Sequence, residues 1–564
     1  MNPLNGAEAL VRMLQLHGVT HVFGLCGDTS LPLYDALARL DHGITHVLTR
    51  DERSAAYMAD GYARIARRPG VCEGPSGGGA TYILPGVVEA NESSIPVLAI
   101  TSDVATTSRG RYALTELDQA ALFRPLTKWN GVANSANDLP RLVRAAFNAM
   151  TTGRTGAAHL SLPFDVQQGA VEAAEVWADP AVATYPARRS GADPSDIERA
   201  AALLTTIPNV LFIAGGGVVL SGGEGDLQAL ADDLGAGVVT TISGQGSVPE
   251  THPLCAGVVG SNGGTPETRA IVDMADLVVF VGCRAGSVTT ERWRHPAPGA
   301  AKVIQIDVDP GVIGTNYAVD IGLVGDIRLV LRQLVAAIGG QTTFRMPSRI
   351  NPQSIAMAKA RKQAAFLALA RADERPILPE RVVHDLQAVL PDDAIVVADP
   401  GTPCPYFSAY YEIRRAGRRF FSNRAHGALG YSMAAAVGAH FAAPAARVVA
   451  VMGDGSFGFT VGEIETIVRL KVPLLMVVIS NATFGWIKAG QKSGFDKRYF
   501  SVDFSRTDHA AVAAAYGVRS WRVEAPGLLQ ATLRAALEHG GPALVDVLCQ
   551  PLHESHAPVS EWVA

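Results

Sequence analysis

The sequence lacks the long apolar runs, the paired cysteines and the basic character that mark several large classes of protein. Its apolar stretches fall short of the roughly 18 uninterrupted residues that a membrane helix needs, so no membrane span is expected. The six cysteines show no Cys-x-x-Cys spacing, which argues against zinc sites and redox motifs. Lysine is scarce and the 564 residues carry a net charge of −5, so neither nucleic acid nor an anionic membrane is indicated as a partner.

The cysteines and the first residues indicate where the protein works. Single cysteines scattered through a large chain favour reduced thiols in a cytosol. The opening residues, MNPLNGAEALVRMLQLHG, are typical of a folded amphipathic helix and not of a secretory signal. We therefore expect a cytoplasmic protein. The cysteines are Cys26, Cys72, Cys255, Cys283, Cys404 and Cys549.

Short apolar runs that alternate with helical patterns fill the chain. Hydrophobic residues make up 48% of the sequence and charged residues 18%, so large buried cores are expected. The runs are typical of buried parallel strands. They lie at 19–25, 44–49, 70–74, 96–103, 157–163, 209–217, 238–243, 276–282, 302–309, 394–401, 447–456, 473–481 and 543–548. Helical patterns in the first part lie near 5–17, 30–40, 52–66 and 139–152.

Two polar stretches divide these strand–helix units into three groups. Residues 168–192, rich in Ala, Pro, Asp and Glu, and residues 339–353 are predicted to be linkers. The fold class expected is α/β, with three doubly wound parallel-sheet domains at 1–170, 190–340 and 355–564. The first and third domains show no strong sequence repeat, so a shared fold between them would follow from the pattern alone.

A polar cluster follows two neighbouring apolar runs of the third domain. The run at 447–456 ends in Gly453, Asp454, Gly455 and Ser456, and Asn481 ends the next run. Because the carboxyl ends of adjacent parallel strands face one crevice, these side chains are expected to meet there. An acid and an amide suit Mg²⁺, which often bridges a diphosphate, and glycines let the backbone approach phosphate oxygens. Gly-Asp-Gly alone also occurs in plain turns, and the added Asn favours the metal site.

These residues resemble the thiamine diphosphate (ThDP) motif of the acetolactate synthase and pyruvate decarboxylase superfamily, closest in pattern to acetolactate-synthase-like proteins. That motif runs from Gly-Asp-Gly to an Asn pair, which in this chain is Ser480-Asn481. The resemblance implies ThDP and Mg²⁺ as cofactors, with Mg²⁺ held by Asp454, Asn481 and the carbonyl of Thr483. It extends over essentially the whole chain and implies a pyrimidine-binding, a central Rossmann-like and a diphosphate-binding domain, in that order.

Further residues fall where the family holds the cofactor. Gly401 and Thr402 match the second diphosphate loop, although Thr402 and the following Pro403 stand where the family often has Gln-His. Residues 421–442 resemble the family's GTMGFGLPAAIGA stretch. This implies that the carbonyl of Gly427 accepts a bond from the cofactor's amino group and that Leu429 props the cofactor into a V; ordinary core packing is the alternative for Leu429. The cofactor-binding residues predicted in this way are Gly401, Thr402, Gly427, Leu429, Gly453, Asp454, Gly455, Ser456, Asn481, Thr483, Phe484 and Gly485.

Glu52 falls at the position of the family's catalytic glutamate. Residues 48–64, LTRDERSAAYMADGYAR, are similar to the family's RHEQ-A-A-x-M-A-D-G-Y-A-R block. A carboxyl in an apolar pocket can keep the pyrimidine nitrogen N1′ protonated, because desolvation raises the carboxyl's pKa. A glutamate in a first helical turn is otherwise most often a surface residue that offsets the helix dipole.

The remaining predicted site residues concern the substrate. Asp28 lies where pyruvate decarboxylases have a catalytic aspartate, and a helix cap beside Thr29 and Ser30 is the alternative. Residues 75–81, PSGGGAT, are similar to the family's TSGPGAT turn, and Thr115 stands at the synthases' pocket glutamine. Gly490 stands at the synthases' acceptor-selecting tryptophan. The substrate pocket implied by the resemblance consists of Gly77, Leu114, Thr115, Trp486 and Ile487.

The middle domain resembles the acetolactate synthase domain that can hold FAD, and that holds a CoA or ADP moiety in related enzymes. A lone Gly-Gly-Gly after a strand is weak support, because many α/β turns use it. The synthases' flavin-side run RFDDR is replaced by RAGSVTTERW, which shares only Arg284. FAD or another nucleotide is therefore an alternative that the residues do not support.

The reaction stays open between several hypotheses. Ile487 replaces the second glutamate of pyruvate decarboxylases, and no adjacent His-His pair occurs, which argues against simple aldehyde release. The first hypothesis is an acetolactate-synthase-like lyase/carboligase, in which a 2-oxo acid or acyloin-type donor leaves an enamine that an acceptor carbonyl captures. The alternatives are a 2-hydroxyacyl-CoA lyase whose tail PLHESHAPVSEWVA closes over the site, a 2-oxo acid decarboxylase, and a catalytically silent ThDP-fold subunit. The resemblance also implies a small-molecule substrate and a homodimer or homotetramer with active sites at the subunit interface.

Overall fold

The computed structural model describes residues 4–339 and 347–562. Contacts between residues divide the chain into two compact units. Unit 1 comprises Met1–Arg188, Asn423–Ala445 and Phe459–Leu474, and unit 2 comprises Arg189–Ser422, Ala446–Gly458 and Leu475–Ala564. Residues 340–346 of the predicted linker at 339–353, and the last two residues of the tail, lie outside the described residues.

The first part of the chain alternates strands and helices as its pattern predicts. The strands are β1 (Leu4–Asn5), β2 (His21–Gly24), β3 (Thr45–Leu48), β4 (Gly70–Gly74), β5 (Val97–Asp103), β6 (Trp129–Val132), β7 (Ala158–Pro163) and β8 (Ala170–Val171). The helices are α1 (Gly6–Leu16), α2 (Leu31–Arg39), α3 (Glu52–Ala66), α4 (Gly78–Tyr82), α5 (Leu84–Glu92), α6 (Gln119–Phe123), α7 (Leu139–Thr151) and α8 (Phe164–Gln168). The four helices predicted here, α1, α2, α3 and α7, begin and end close to their predicted bounds.

Six of these strands form a parallel sheet in the order β3-β2-β4-β5-β7-β6. Its inner strands β4, β5 and β7 are buried along their whole length, as strands covered on both faces are. Strand β8 lies within the predicted linker at 168–192 and pairs antiparallel with β1. This linker is therefore tied to the beginning of the chain.

The middle part forms a second parallel sheet. Its helices are α9 (Pro194–Thr206), α10 (Gly216–Ser221), α11 (Glu224–Leu234), α12 (Pro266–Val272) and α13 (Ile327–Ile338). Its strands are β9 (Val210–Ala214), β10 (Gly237–Thr240), β11 (Cys255–Val258), β12 (Leu277–Val281), β13 (Lys302–Asp307) and β14 (Ile321–Val324). The order β11-β10-β9-β12-β13-β14 is the 3-2-1-4-5-6 order of a Rossmann fold.

The last part supplies a third parallel sheet. Its helices are α14 (Pro352–Ala370), α15 (Pro379–Val389), α16 (Pro403–Tyr410), α17 (Ser432–Ala442), α18 (Asp454–Thr460), α19 (Ile464–Arg469), α20 (Gly485–Gly494), α21 (His509–Ala515) and α22 (Pro526–Glu538). Its strands are β15 (Ile395–Ala398), β16 (Phe420–Ser422), β17 (Val448–Gly453), β18 (Leu475–Ser480), β19 (Arg519–Val523) and β20 (Ala543–Leu548). They lie in the order β16-β15-β17-β18-β20-β19.

The first and third sheets share one topology. Counted from the first strand of each sheet, both have the order 2-1-3-4-6-5. The two parts therefore have a common strand order although no strong sequence repeat joins them. The predicted α/β class with three doubly wound parallel sheets is confirmed, while the domain boundaries at 1–170, 190–340 and 355–564 stay a prediction.

The structure differs from the sequence pattern at the edges of the sheets and after β17. Within the three six-stranded sheets, the strands that the pattern does not indicate are β6, β11, β14, β16 and β19, and all of them lie at sheet edges. In addition, the Gly-Asp-Gly stretch after β17 does not form a plain turn, because helix α18 begins at Asp454 itself.

Helices α3 and α17, both in unit 1, approach each other through glycines. A Cβ at Gly438 would lie 1.9 Å from the carbonyl oxygen of Met58, and one at Gly61 would lie 2.1 Å from that of Ala435. Only a residue without a side chain allows two backbones this close. The crossing fixes α3, and with it Glu52, against the segment that precedes α17.

No helix in the described ranges has both the length and the apolar character that crossing a membrane requires.

Candidate active site

The order of the third sheet reverses between β15 and β17. Ligands of open α/β sheets bind outside the carboxyl ends of the strands at such a reversal. Gly401 and Thr402 follow β15 at this edge, while Gly453 ends β17 and Asp454 comes next. The structure therefore brings the two predicted diphosphate loops together.

Asp454 joins the end of β17 to the loop after β18. Its Oδ2 accepts hydrogen bonds from the backbone N–H groups of Asn481 at 2.7 Å and Ala482 at 2.6 Å. Its Oδ1 accepts one from the N–H of Gly455 at 2.9 Å. Burial raises the pKa of the Asp454 carboxyl, and the three N–H donors act against that rise because they stabilise the charged form.

The loop after β18 has a strained backbone at Ala482. The φ angle of Ala482 is +55°, which costs an L-residue roughly 1–2 kcal/mol and persists only where the surroundings impose it. The bond from Ala482 to Asp454 and the bond from the Thr483 hydroxyl to the carbonyl of Val502, at 2.9 Å, supply that constraint. Hydrogen bonds at Ala482 and at the next residue therefore hold the strained backbone of this loop in place.

The predicted metal ligands keep free acceptor positions. The side-chain oxygen of Asn481 accepts one bond, from the Thr483 N–H at 3.3 Å, and the carbonyl of Thr483 accepts one from the Gly485 N–H at 2.9 Å. Each oxygen has a second lone pair for a ligand. One carboxylate, one amide oxygen and one carbonyl are hard ligands of the kind that Mg²⁺ takes together with phosphate oxygens.

The space at these strand ends fits a diphosphate. At Gly401, whose φ is +91°, and at Gly453, no atom lies within 4 Å of the place that a Cβ would occupy. Within the described part of the chain, no group of three or more His, Cys, Asp or Glu side chains is suited to a metal. A metal at Asp454 would thus need ligands from outside the acidic residues, such as the phosphates of a cofactor.

The other predicted cofactor residues of this edge are tightly packed. A Cβ at Gly455 would lie 2.8 Å from the ring of Phe484, and one at Gly485 would lie 3.3 Å from the hydroxyl of Thr402. Ser456 is buried within α18. Close packing accounts for glycine at 455 and 485, and it brings α20 against the loop after β15.

Glu52 begins α3 in unit 1. The carboxylate of Asp51 caps the helix by accepting a bond from the N–H of Arg53 at 2.7 Å. Glu52 is only 7% exposed. The backbone of Gly74 and Gly79 lies against its side chain: a Cβ at Gly74 would be 3.3 Å from its Cγ, and one at Gly79 would be 3.1 Å from its Oε1. Burial raises the pKa of the Glu52 carboxyl, and a backbone hydrogen bond opposes the rise.

A second buried carboxyl close to Glu52 was missed by the sequence analysis. Glu73 of β4 accepts a bond from the hydroxyl of Tyr34 and lies 3.4 Å from Nε2 of His46. Burial raises the pKa of Glu73, and its charge adds to the rise at Glu52. A Cβ at Gly24 would lie 2.1 Å from its Oε1. The one available signal was an acid inside the otherwise apolar run GVCEG.

Gly427 and Leu429 lie in unit 1 on the loop between Asn423 and Tyr431, which we call loop 423–431. The φ angle of Gly427 is +73°, and nothing lies within 4 Å of the place of a Cβ. Leu429 is half-buried. This loop leads directly into α17, so the α3–α17 crossing brings it close to the helix of Glu52.

Three loops of unit 1 meet at two of the predicted pocket residues. The Thr29 hydroxyl is 2.8 Å from that of Ser102 and 3.1 Å from that of Ser76. The Ser76 hydroxyl is 2.6 Å from that of Thr115. Gly77 has a φ of +68°, and a Cβ there would meet Thr115 at 2.8 Å. The structure thus brings Gly77 and Thr115 together.

Asp28 and Leu114 are exposed in unit 1. The helix-cap alternative for Asp28 is wrong, because Gly27 is the cap of the short turn Asp28–Ser30 and Ser30 is the cap of α2. Leu114 is 86% exposed. Neither side chain is enclosed within unit 1.

Trp486 and Ile487 stand in the first turn of α20 in unit 2. Trp486 packs against the core, and its ring centre lies 5.1 Å from that of Trp562. Ile487 is 56% exposed. A Cβ at Gly490 would lie 3.5 Å from the carbonyl oxygen of Trp562, so the segment before residue 563 lies along this helix.

The Gly-rich run of the middle part packs against a neighbouring loop. A Cβ at Gly217 would lie 2.7 Å from the Cα of Gly282, and one at Gly215 would lie 2.2 Å from the Gly282 carbonyl oxygen. These glycines allow the turns after β9 and β12 to touch. Their presence therefore gives no support for a bound nucleotide.

Family models of thiamine pyrophosphate enzymes match three parts of the chain. The N-terminal TPP binding domain matches residues 4–122, the central domain residues 197–334 and the C-terminal TPP binding domain residues 399–547. A probable acetolactate synthase large subunit of Methanocaldococcus jannaschii is 34% identical over 563 residues, which cover 97% of this chain and 92% of that protein. The acetolactate synthase isozyme 3 large subunit of Escherichia coli (strain K12) is 32% identical, with 95% and 93% covered. The acetolactate synthase of Arthrospira platensis is 31% identical, with 96% and 94% covered.

Proposed function

Since the chain belongs to the thiamine pyrophosphate enzymes, in their acetolactate-synthase-like group, we propose that it makes or breaks a carbon–carbon bond beside a carbonyl. The proposed substrate is a small 2-oxo acid or an acyloin-type molecule. The cofactor is ThDP, another name for thiamine pyrophosphate, and Mg²⁺ is part of the proposal. Because the chain is an enzyme of this group, the hypothesis of a catalytically silent subunit is set aside.

Bound ThDP supplies a nucleophilic carbon and takes up the electron pair that a broken substrate bond leaves behind. Asp454, Asn481 and the carbonyl of Thr483 would hold Mg²⁺, and the open backbone at Gly401 and Gly453 would take the diphosphate. Glu52 would hold a proton at the pyrimidine nitrogen N1′. The work of the protein is therefore to bind, to orient and to keep one proton in place.

The environment of Glu52 carries this proposal. An exposed glutamate at a helix start would be ionised at neutral pH and would serve the helix dipole. Glu52 is instead enclosed by the backbone at Gly74 and Gly79, and burial raises the pKa of its carboxyl. A carboxyl whose neutral form is favoured by burial suits the task of holding a proton at N1′.

A panel of 2-oxo acids, 1,2-diones and 2-hydroxyacyl-CoAs, offered with ThDP and Mg²⁺ and analysed by product mass, tests the reaction class. We expect a ligation product or a cleavage product from a 2-oxo acid or a dione.

Glu52→Gln should lower kcat by about 10²–10⁴-fold, the range of general acid–base catalysis, with cofactor affinity within about threefold. The matched control is Glu92→Gln, an exposed glutamate at the end of α5, which should keep the wild-type rate. Wild-type turnover by Glu52→Gln would contradict the proposal.

A 2-hydroxyacyl-CoA lyase is the second candidate, and the course of segment 551–562 favours it. The Gly263 N–H donates to the carbonyl of Pro558 at 2.8 Å, and the Ser560 N–H donates to that of Ser261 at 3.0 Å. The segment thus lies along the middle part, which holds a CoA or ADP moiety in this hypothesis. Formyl-CoA or an aldehyde released from an acyl-CoA, without turnover of pyruvate, would select this candidate. An aldehyde from a 2-oxo acid would instead select a simple decarboxylase.

The proposal includes a cytoplasmic homodimer or homotetramer. Two of the relatives are named as large subunits, which supports an assembly of several chains. A native mass equal to one chain of 59.2 kDa, measured by light scattering, would contradict it.

A further inference from the structure

A group of buried charges in unit 1 has no part in the chemistry proposed above. Its members are Asp60 and Arg64 of α3 and Glu89 of α5, each at most 7% exposed. The Arg64 guanidinium donates from Nε to Asp60 Oδ2 at 2.7 Å and from a terminal nitrogen to Glu89 Oε1 at 3.2 Å. Two carboxylates thus share one guanidinium inside the protein.

Both carboxylates also bind loop 423–431. Glu89 Oε2 accepts the backbone N–H groups of Ala425 at 3.2 Å and His426 at 2.7 Å. Asp60 Oδ2 accepts the hydroxyl of Tyr431, the residue before α17. One network therefore holds the loop at two places.

The stretch between these two anchors contains Gly427 and Leu429. Gly427 has a left-handed backbone with open space beside it, so its conformation depends on what holds its neighbours. Within the loop, Nδ2 of Asn423 donates to the carbonyl of Ala428 at 2.6 Å. The direction of the Gly427 carbonyl is therefore set by the anchors and by this internal bond.

Stability alone gives no reason for three charges in this place. Each buried ion costs several kcal/mol of desolvation, and apolar residues of similar volume are often as stabilising. Directional hydrogen bonds in a low-dielectric interior instead fix where a backbone segment lies. The network is thus better suited to placing the loop than to holding the fold together.

We propose that Glu89 is a positioning residue of the active site, which fixes loop 423–431 relative to α3, the helix that begins at Glu52. Asp60 lies roughly two turns, or about 12 Å, beyond Glu52 along the same helix. Helix α3 therefore carries both Glu52 and Asp60, one of the two residues that bind loop 423–431. This inference rests on the proposed function, because it takes Gly427 and Leu429 to face the cofactor.

Two variants of the full-length protein distinguish the loss of the hydrogen-bond acceptor for loop 423–431 from the loss of the charge at Glu89. Glu89→Ala and Glu89→Gln both remove the charge that faces Arg64, but only alanine removes the acceptor of the loop N–H groups. Glu89→Ala should raise the dissociation constant of ThDP, titrated with Mg²⁺ in a calorimeter, by about tenfold, the effect of leaving buried donors unpaired. It should also lower kcat by more than it changes KM, because a displaced group misaligns the reacting atoms. Glu89→Gln should stay within about threefold of the wild type, as should the control Glu92→Gln.

A merely structural role predicts a different pattern. Both Glu89 variants would then lose thermal stability with the ion pair, while the folded protein would keep wild-type cofactor affinity and kcat; that result would overturn the proposal. If Glu89→Ala does not fold, Tyr431→Phe removes only the hydroxyl that Asp60 accepts and should also raise the dissociation constant. An unchanged constant in that variant would likewise count against the role.

The proposed function can fail separately from this inference. Wild-type protein that binds ThDP but turns over no substrate of the panel refutes the function, while the comparison of dissociation constants still tests Glu89. Wild-type protein that binds no ThDP refutes both.

Discussion

At the scale of the residue, Glu52 and Asp454 are two buried carboxyls that differ in the hydrogen bonds they accept. Glu52 has glycine backbone against it, and burial raises the pKa of its carboxyl. Asp454 accepts three backbone N–H bonds on its two oxygens, which stabilise the carboxylate that a metal ligand must be.

Removal of the Asp454 carboxylate should release the cofactor. Asp454→Ala takes away one proposed Mg²⁺ ligand and leaves the N–H groups of Asn481 and Ala482 without their acceptor. A hydrogen bond to a charged group contributes about 1.5–3 kcal/mol, so ThDP affinity should fall by roughly 10- to 150-fold. Titration of ThDP at several Mg²⁺ concentrations measures the change.

The control for this variant is Asp496→Asn, an exposed aspartate whose carboxylate pairs with Arg498. It should leave affinity unchanged. In the wild type, EDTA should release ThDP and Mg²⁺ should restore binding. Cofactor binding that is insensitive to EDTA would show that no metal holds the diphosphate.

At the scale of the element, the crossing of α3 and α17 depends on glycine. Gly438→Ala would place a Cβ 1.9 Å from the backbone oxygen of Met58, which a rotamer change cannot relieve. Overpacking of this kind costs about 1–3 kcal/mol, and Tm should fall by roughly 2–10 °C. Because α3 begins at Glu52, activity at permissive temperature should fall as well. Differential scanning calorimetry and an activity assay measure both effects.

Gly225→Ala is the matched control for the crossing. Gly225 lies inside α11, and no atom stands within 4 Å of the place of a Cβ. Alanine favours a helix over glycine by up to about 1 kcal/mol, so Tm should hold or rise. Equal losses in both variants would mean that the close approach of α3 and α17 is not what requires glycine.

At the scale of the whole molecule, buried acids govern how stability depends on pH. Burial raises the pKa values of Glu250, Glu380 and Glu463 to about 7. In the folded state these carboxyls keep protons that an unfolded chain has released, so each contributes stability that is fully present below its ordinary pKa of 4.5. That contribution is lost as pH rises through the folded value. We therefore expect stability to fall between about pH 4.5 and about pH 7.

Glu380→Gln tests this dependence at one position. Glu380 is 1% exposed, and within the described residues its Oε1 has no hydrogen-bond partner. The amide cannot ionise, so the variant should exceed the wild type at pH 8 by an amount on the order of 1–3 kcal/mol and show no gain at pH 5. Thermal unfolding at both pH values measures the difference. Glu538→Gln, an exposed position at the end of α22, should show no such dependence.

Across the whole chain, the sequence predicted the central strands of the sheets well and the edge strands poorly. Strands β4 and β20 coincide with apolar runs, because a strand between two neighbours is covered on both faces. Strands β6 and β19 have mostly half-buried side chains and no apolar run, since each has a neighbour on one side only. Because these edge strands could not be predicted, the strand order that the first and third sheets share could be recognised only in the structure.

By itself the sequence determined the fold class, the cofactor family and the residues that end the central strands and begin α3, because apolar runs and motif spacing are local in the chain. Only the tertiary structure decided that Asp28 caps no helix, that Glu73 is buried beside Glu52, and that Glu89 holds a loop whose Ala425 lies 336 residues further along. Those outcomes depend on partners that are distant in sequence and close in space, and no local pattern contains the identity of such a partner.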